Sequence, residues 1–136
     1  MQRDQALEFI RHHHRAVIAT TRTDGRVALT PVVAGVDDEG HVVVSTRQTA
    51  IKVAHLRRVP YASILVLDDG FYGEWAQVEG PVSIVGLPEA MDGLVAYYRQ
   101  VAGEHPDWDD YRAAMVRERR VLLRVQVERA GPTRSG

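Results

Sequence analysis

The 136-residue sequence contains no cysteine, which excludes disulfides, thiolate chemistry and cysteine-based metal sites. Its formal net charge is −1 at pH 7, so charge gives no reason to expect nucleic acid or an acidic membrane as partner. No apolar run approaches the length of a membrane span, and the N-terminus has the pattern of a polar helix rather than a signal peptide. We therefore expect a cytoplasmic protein that does not contact membranes.

Lysine is nearly absent as well, since Lys52 is the only lysine of the chain. It lies in the segment 41–60, which opens with three consecutive valines, a pattern typical of a well-buried strand. A hydroxyl-rich turn follows, and then a short helix is predicted over 50–58, which Pro60 cannot continue. The sequence thus places a strand, a polar turn, a helix start and a cation in that order.

This order suits an anion, because the turn offers hydroxyls and backbone N–H groups and a helix start adds partial positive charge. The helix pattern puts Lys52, His55 and Leu56 on one side, and it predicts that Ala50, Val53 and Ala54 pack on another. A plainer interpretation is that the turn residues are ordinary helix caps and that Lys52 is solvated. The pattern alone leaves both interpretations open.

The remaining elements are predicted from alternation, helical periodicity and turn signals. Further strands are expected at 16–21, 27–36, 61–67, 74–85 and 121–127, and further helices at 2–13, 88–101 and 107–119. Asp24-Gly25 predicts a hairpin, Pro31 predicts an edge, bulge or ligand contact, and Gly80-Pro81 predicts a bend. His12, His13 and His14 are adjacent and point in different directions, so we expect no metal there.

The six strands succeed one another mostly as antiparallel hairpins, and the last returns after two helices. This succession predicts a mainly β (α+β) fold, a six-stranded antiparallel barrel with peripheral helices. The length favours a single domain over 1–136, with an N-terminal helix in 1–14 and a polar tail in 131–136.

Several blocks, taken in order, resemble the pyridoxamine 5′-phosphate oxidase-like split-barrel superfamily. These blocks are 25–26, 30–33, 43–46, Lys52 and 56–60. The downstream blocks 73–80, 103–108 and 119–123 are more similar to its small actinobacterial branch, which uses the deazaflavin coenzyme F-420. The resemblance implies the split barrel known to bind FMN in relatives, and it covers the chain from Arg15 to Pro132.

The resemblance also implies where a cofactor would lie. The strand-to-helix turn would grip its phosphate through Ser45, Thr46, Arg47 and Lys52, with backbone N–H groups from Ala50 and Ile51. The strand before it would lie along the ring system, through Thr30, Pro31, Val32 and Val33. The long strand would contribute Trp75 and Gln77, and Arg57 is a candidate for the anionic tail of F-420.

The chain departs from the true pyridoxamine phosphate oxidases at the positions that define them. Those enzymes carry an arginine near Thr30, a lysine near Gly35 and a final arginine and histidine that hold the substrate. The sequence has none of these groups, so we do not expect vitamin B6 oxidation.

Three functions remain in competition after the resemblance is taken into account. The first is an F-420-dependent oxidoreductase that transfers hydride to an electron-poor small molecule, a step that needs alignment more than an acid or base. The second is an FMN-binding flavin reductase or oxidase. The third is a non-catalytic cofactor- or haem-binding protein, for which His55 or His105 would be the candidate iron ligands.

Aromatic residues predict a homodimer with the cofactor at the subunit interface. A small barrel has no room for a tricyclic ring inside, so the ring would lie on the outer wall and need a second wall. The candidate interface groups are Phe71, Tyr72, Trp75, Tyr97 and Tyr98. The alternative is that these aromatics cover the barrel ends of a monomer.

Overall fold

The computed structural model describes residues 1–70 and 72–132. Within these residues the helices are α1 (Arg3–His12), α2 (Ile51–Arg58), α3 (Met91–Ala102) and α4 (Trp108–Arg117). The strands are β1 (Arg15–Thr21), β2 (Val27–Val33), β3 (Gly35–Val36), β4 (Val42–Arg47), β5 (Tyr61–Leu67), β6 (Trp75–Val85), β7 (Arg120–Val125) and β8 (Arg129–Gly131). The predicted mainly β architecture with peripheral helices is confirmed.

One curved sheet contains all of these strands, and every strand pair is antiparallel. Its order is β2-β1-β5-β6-β7-β4-β3, and β8 pairs with β6. The two ends of this order, β2 and β3, are separated in the chain by Ala34 alone. The chain itself therefore joins the two edges of the sheet, which gives a barrel with a seam rather than a flat layer.

β6 belongs to both halves of the barrel. Its residues 75–81 pair with β5, whereas residues 82–85 pair with β7, so the strand changes partners at Gly80 and Pro81. A Cβ atom on Gly80 would overlap the backbone carbonyl oxygen of Gln126. Glycine is needed there because another backbone passes too close for any side chain.

The interior of the barrel is filled by aliphatic side chains that alternate along the strands. Those that are at most 1% exposed include Ile18, Val42, Val44, Ile64, Val78 and Leu123. α1 and α2 close this interior with Ile10 and Leu56. Since each strand buries every second residue on this side, the other residues form the outer surface of the wall.

The outer surface has two apolar regions. On the β4–β7 half, Val43 and Leu122 are covered by Leu94 of α3 and by Tyr111 and Met115 of α4. On the other half, the described residues provide no such cover. We call this second region the open face, and its apolar side chains are Val17, Ala19, Val27, Leu29, Pro31, Val33, Leu65 and Leu67.

The structure corrects several predicted boundaries. The predicted strand 27–36 is divided at Ala34, whose N–H donates to the carbonyl of His14. α3 begins at Met91, so Pro88 lies in the preceding turn rather than at the first helical position. The predicted polar tail 131–136 begins inside β8, which pairs with β6; residues 133–136 lie outside the described part of the chain.

The packing of α1 and α2 differs in detail from the sequence prediction. α1 ends at His12, and the following His13 ring stacks on Phe9 rather than closing the helix. In α2, Val53 and Ala50 pack against the core as predicted, whereas Ala54 is exposed and Leu56, which was placed on the other side, is buried. In the described part of the chain, no helix has the length and apolar character needed to cross a membrane.

Candidate functional site

The strand-to-helix turn that the sequence singled out is formed by the end of β4 and the start of α2. Ser45 is half-buried and Arg47 is exposed, while Thr46 between them is only 4% exposed. Because strand side chains alternate, Ser45 and Arg47 lie on the outer side of the sheet and Thr46 lies on the inner side. Thr46 can therefore approach a ligand on the outer wall only through its backbone.

The backbone of this turn leaves two donors at the start of α2. The N–H of Ala50 donates to the carbonyl of Arg47 at 3.0 Å, so this predicted donor is already engaged. The Ala50 carbonyl accepts the N–H of Val53, and no side chain caps the helix. The N–H groups of Ile51 and Lys52 have no backbone partner in the described chain, and they carry the partial positive charge of the helix start.

Lys52 is half-buried, and its ammonium forms no hydrogen bond or ion pair with any described residue. Burial lowers the pKa of Lys52 below its ordinary value, and the charge of Arg120 lowers it further. A bound anion would offset both effects, because it would supply hydrogen-bond acceptors and opposite charge. The donor set of this turn therefore fits a phosphate.

Arg120 and Glu118 form a fixed charged pair beside the turn. The Arg120 Nη2 atom lies 2.9 Å from Glu118 Oε1, and the Arg47 Nη2 atom lies 3.6 Å from the same oxygen. The hydrogen bond from Arg120 lowers the pKa of Glu118, and the charges of Arg120, Arg47 and Arg117 lower it further. Sequence reasoning missed Arg120 and Glu118, although the pairing of Arg47 with Arg120 follows once β4 and β7 are aligned.

The predicted ring-contacting strand is β2, an edge of the sheet. In the described ladder it pairs with β1 alone, and Pro31 lies opposite Val17. An edge position explains how a strand tolerates Pro31, which has no N–H for a second ladder. Thr30 and Val32 are half-buried, whereas Pro31 and Val33 are exposed on the outer side, so the two pairs lie on different faces.

A cavity of about 430 Å³ contacts both predicted strands, because Val33 of β2 and Ser45 of β4 line it together. Its opposite wall is aromatic and comes from α3, α4 and the segment between them. Tyr97 donates its hydroxyl hydrogen bond to the Val33 carbonyl at 2.8 Å, which ties this wall to β2. Arg120 also lines this cavity, and its charge acts on Lys52, so the cavity lies next to the turn before α2.

Trp75 and Gln77 do not join these residues within one chain. Val33 pairs with Arg15, Arg15 with Leu67, and Leu67 with Trp75, so Trp75 stands three strands away from β2. At the usual strand spacing this separation is about 14 Å. Trp75 and Gln77 lie on the same outer side of the sheet as the open face, since both alternate with the buried Ala76 and Val78.

Arg57 lies five residues after Lys52 on α2, which turns it by about 140° around the helix axis. It lines a different cavity, together with Gln48 and Arg119. Arg57 and Lys52 therefore face different surroundings, although both were assigned to one cofactor.

The two histidines considered as haem ligands have partners within the chain. The Nδ1 atom of His55 lies 2.9 Å from the Thr20 hydroxyl oxygen, and His105 Nδ1 accepts the N–H of Asp107. In the described residues no three histidine or carboxylate groups lie close enough to hold a metal ion.

The aromatic residues expected to form one exposed patch are dispersed. Tyr98 packs against His105, Trp108 and Tyr111, so it belongs to the α3–α4 layer of its own chain. Tyr72 is 95% exposed, Trp75 is half-buried, and Phe71 lies outside the described residues. The apolar open face is therefore a better candidate for an interface than the predicted aromatic set.

The sheet order, the seam between β2 and β3 and the polar turn before α2 define the class of fold as a split barrel. Three solved structures share this fold. A conserved hypothetical protein, Rv2991 of Mycobacterium tuberculosis, is 25% identical with a TM-score of 0.79, over 100% of this chain and 92% of that one. A protein described as an F-420 reductase is 18% identical with a TM-score of 0.70, over 94% of each chain.

The third structure is HutZ, described as a haem storage protein of Vibrio cholerae. It is 16% identical with a TM-score of 0.71, over 96% of this chain and 94% of that one. A family model described as pyridoxamine 5′-phosphate oxidase matches residues 2–133. The chain belongs to this family, as the sequence blocks predicted.

Proposed function

We propose that this protein is an oxidoreductase that uses coenzyme F-420 for hydride transfer to an electron-poor small molecule. The observation that carries the proposal is the half-buried ammonium of Lys52, which has no partner among the described residues and lies within the field of Arg120. This cation stands at the helix start where two backbone N–H groups are also available. The similarity to a protein described as an F-420 reductase supports the choice of cofactor.

In this proposal the chain binds and orients, and the bound deazaflavin supplies the hydride chemistry. Lys52, the Ile51 N–H and the Ser45 hydroxyl hold the phosphate. The backbone of β2 contacts the ring system, and the cavity lined by Val33 and Ser45 admits the substrate. Tyr97, held against β2 by its hydroxyl, forms the wall that limits how the substrate can lie.

The proposal includes a homodimer, which is a separate and testable part of it. Three side chains of the open face are strongly exposed, with Val27 at 62%, Leu29 at 70% and Val33 at 45%. A contiguous apolar surface of this kind favours a protein contact. A second copy on this face would bring its own Trp75 and Gln77 toward the β2 residues, from which Trp75 is about 14 Å away within one chain.

The cofactor part is tested by titrating purified protein with F-420 and with FMN, followed by fluorescence. We expect tighter binding of F-420, and we expect Lys52→Ala to weaken it about ten-fold or more, because a charge-assisted contact is worth roughly 1.5 to 3 kcal/mol. Arg26→Ala removes an exposed cation from the β1–β2 turn and should leave the affinity unchanged.

Equal or tighter binding of FMN would exclude the F-420 assignment and leave the flavin alternative. Unchanged binding by Lys52→Ala would show that Lys52 is an ordinary surface lysine. Turnover is tested separately by following the oxidation of reduced F-420 in the presence of quinones and enones. A cytoplasmic location remains a prediction of the sequence.

A further inference from the structure

A groove on the outside of the barrel is lined by three arginines: Arg57 of α2, Arg119 between α4 and β7, and Arg120 at the start of β7. The cavity measures about 340 Å³, which is within the range of small-molecule pockets. We call it the arginine groove. Lys52 is not among its lining residues, although Arg120 lines both this groove and the cavity next to the turn before α2.

The charge of the arginine groove is not balanced by its own wall. Its lining residues include no carboxylate, and the nearby Glu118 is already bonded to Arg120 at 2.9 Å. The guanidinium groups of Arg57 and Arg119 form no hydrogen bond or ion pair with any described residue. A concave surface with two uncompensated cations attracts and concentrates an anion.

Arg119 occupies a backbone conformation that an arginine rarely adopts. It follows α4 with a φ of 54°, a left-handed position where glycine is usually found. Its carbonyl accepts the N–H of Gln48 at 2.9 Å, which helps to fix this position. A cation after a helix also interacts favourably with the helix dipole. Arg117 in the last turn of α4 already provides such a cation. An arginine at this position is unfavourable for the local backbone, so its side chain is a candidate for a role that depends on its charge.

Apart from Gln48, the other side chains of the groove are apolar, and they include Ile84, Leu87 and Val116. Val116 is 61% exposed, and covering its side chain would remove apolar surface from water, which is favourable. We propose that the arginine groove binds an organic anion whose carboxylate meets Arg57 and Arg119 and whose aliphatic chain covers Leu87 and Val116. This site does not depend on the proposed cofactor function.

Isothermal titration calorimetry with decanoate, below its micelle concentration, tests the proposal on the full chain. Wild type should bind, and Arg119→Gly should weaken binding about ten-fold, because one charge-assisted contact is lost. Glycine suits the left-handed backbone, so this variant should fold at least as well as wild type. Val116→Asp should also abolish binding by repelling the carboxylate, whereas the control Arg26→Gln should bind like wild type.

Two probes separate the anionic and apolar parts of the site. A triglutamate peptide carries the charge without the chain, and decylammonium carries the chain without the negative charge; both should bind much more weakly than decanoate. The proposal is overturned if Arg119→Gly and Val116→Asp bind decanoate as well as wild type. It is equally overturned if triglutamate binds as tightly as decanoate. F-420 titration of the same Arg119→Gly protein should be unchanged, which separates this site from the cofactor site.

Discussion

The two halves of the barrel wall have apolar outer surfaces, and within residues 1–70 and 72–132 only one of them is covered. On the β4–β7 half, Leu122 lies beneath α3 and α4 and is 4% exposed. On the β1–β2 half, Leu29 is 70% exposed, although it alternates with the same regularity. The difference shows that alternating apolar residues do not by themselves tell whether the outer side of a strand is covered within its own chain.

Truncation on the covered half should produce the largest effect. Leu94 is fully buried in the α3–α4 layer, so Leu94→Ala should lower the free energy of unfolding by about 2 to 5 kcal/mol. The matched variant Leu29→Ala, measured by urea denaturation at low protein concentration, should change it by less than about 0.5 kcal/mol. Similar losses for both variants at low concentration would show that the two faces are covered alike within one chain.

A charge on the open face should dissociate the proposed dimer. Leu29→Asp would bury a carboxylate in an apolar contact, so the dimer should weaken by at least about 3 kcal/mol, more than a hundred-fold in its dissociation constant. Light scattering at micromolar concentration measures the mass of each species. Val116→Asp, an equally polar change at an exposed valine outside the open face, should leave the dimer intact. A wild-type species of 15.2 kDa would remove the dimer from the proposal.

The covered half should also be sensitive to alkali through Tyr111. This residue is 6% exposed and donates its hydroxyl hydrogen bond to the Leu94 carbonyl, and burial raises its pKa from 10.0 to about 12. Because the pKa of Tyr111 is higher in the folded than in the unfolded protein, its protonated hydroxyl stabilises the fold. This stabilisation is fully present below pH 10 and is lost as the pH rises toward 12. The free energy of unfolding should fall by about 2 kcal/mol over this range.

Tyr111→Phe should have lower stability at neutral pH but a flatter decline between pH 10 and pH 12. The slope of stability against pH is measured by thermal unfolding at several pH values between 10 and 12. An unchanged slope would show that other groups govern the alkaline transition.

Much of the fold could be predicted from local signals, because those signals are governed by neighbours in the chain. The predicted strand 61–67 matches β5, and the helix predicted over 107–119 begins at Asp107, which caps α4 by accepting the N–H of Asp110. The break at Ala34 was missed because it depends on a contact with His14, twenty residues earlier. The start of α3 was placed too early because Pro88 suits a first helical position as well as a turn.

The site was less predictable, since it depends on which side of a strand each residue occupies and on what lies across the sheet. Ser45 and Thr46 are neighbours in sequence, yet they lie on opposite faces of β4. Arg120 and Glu118 reach the turn only through the pairing of β4 with β7, which joins residues more than seventy positions apart. No local pattern carries that information.

The shared strand β6 has a consequence for how the barrel opens. Its first seven residues bond to β5 and its last four to β7, so the amide hydrogens of one strand report on two halves of the molecule. If the halves open independently, hydrogen exchange will divide β6 into two sets of rates at Gly80, with no change in the strand itself. A single rate along β6 would instead mean that both halves of the barrel open together as one cooperative unit.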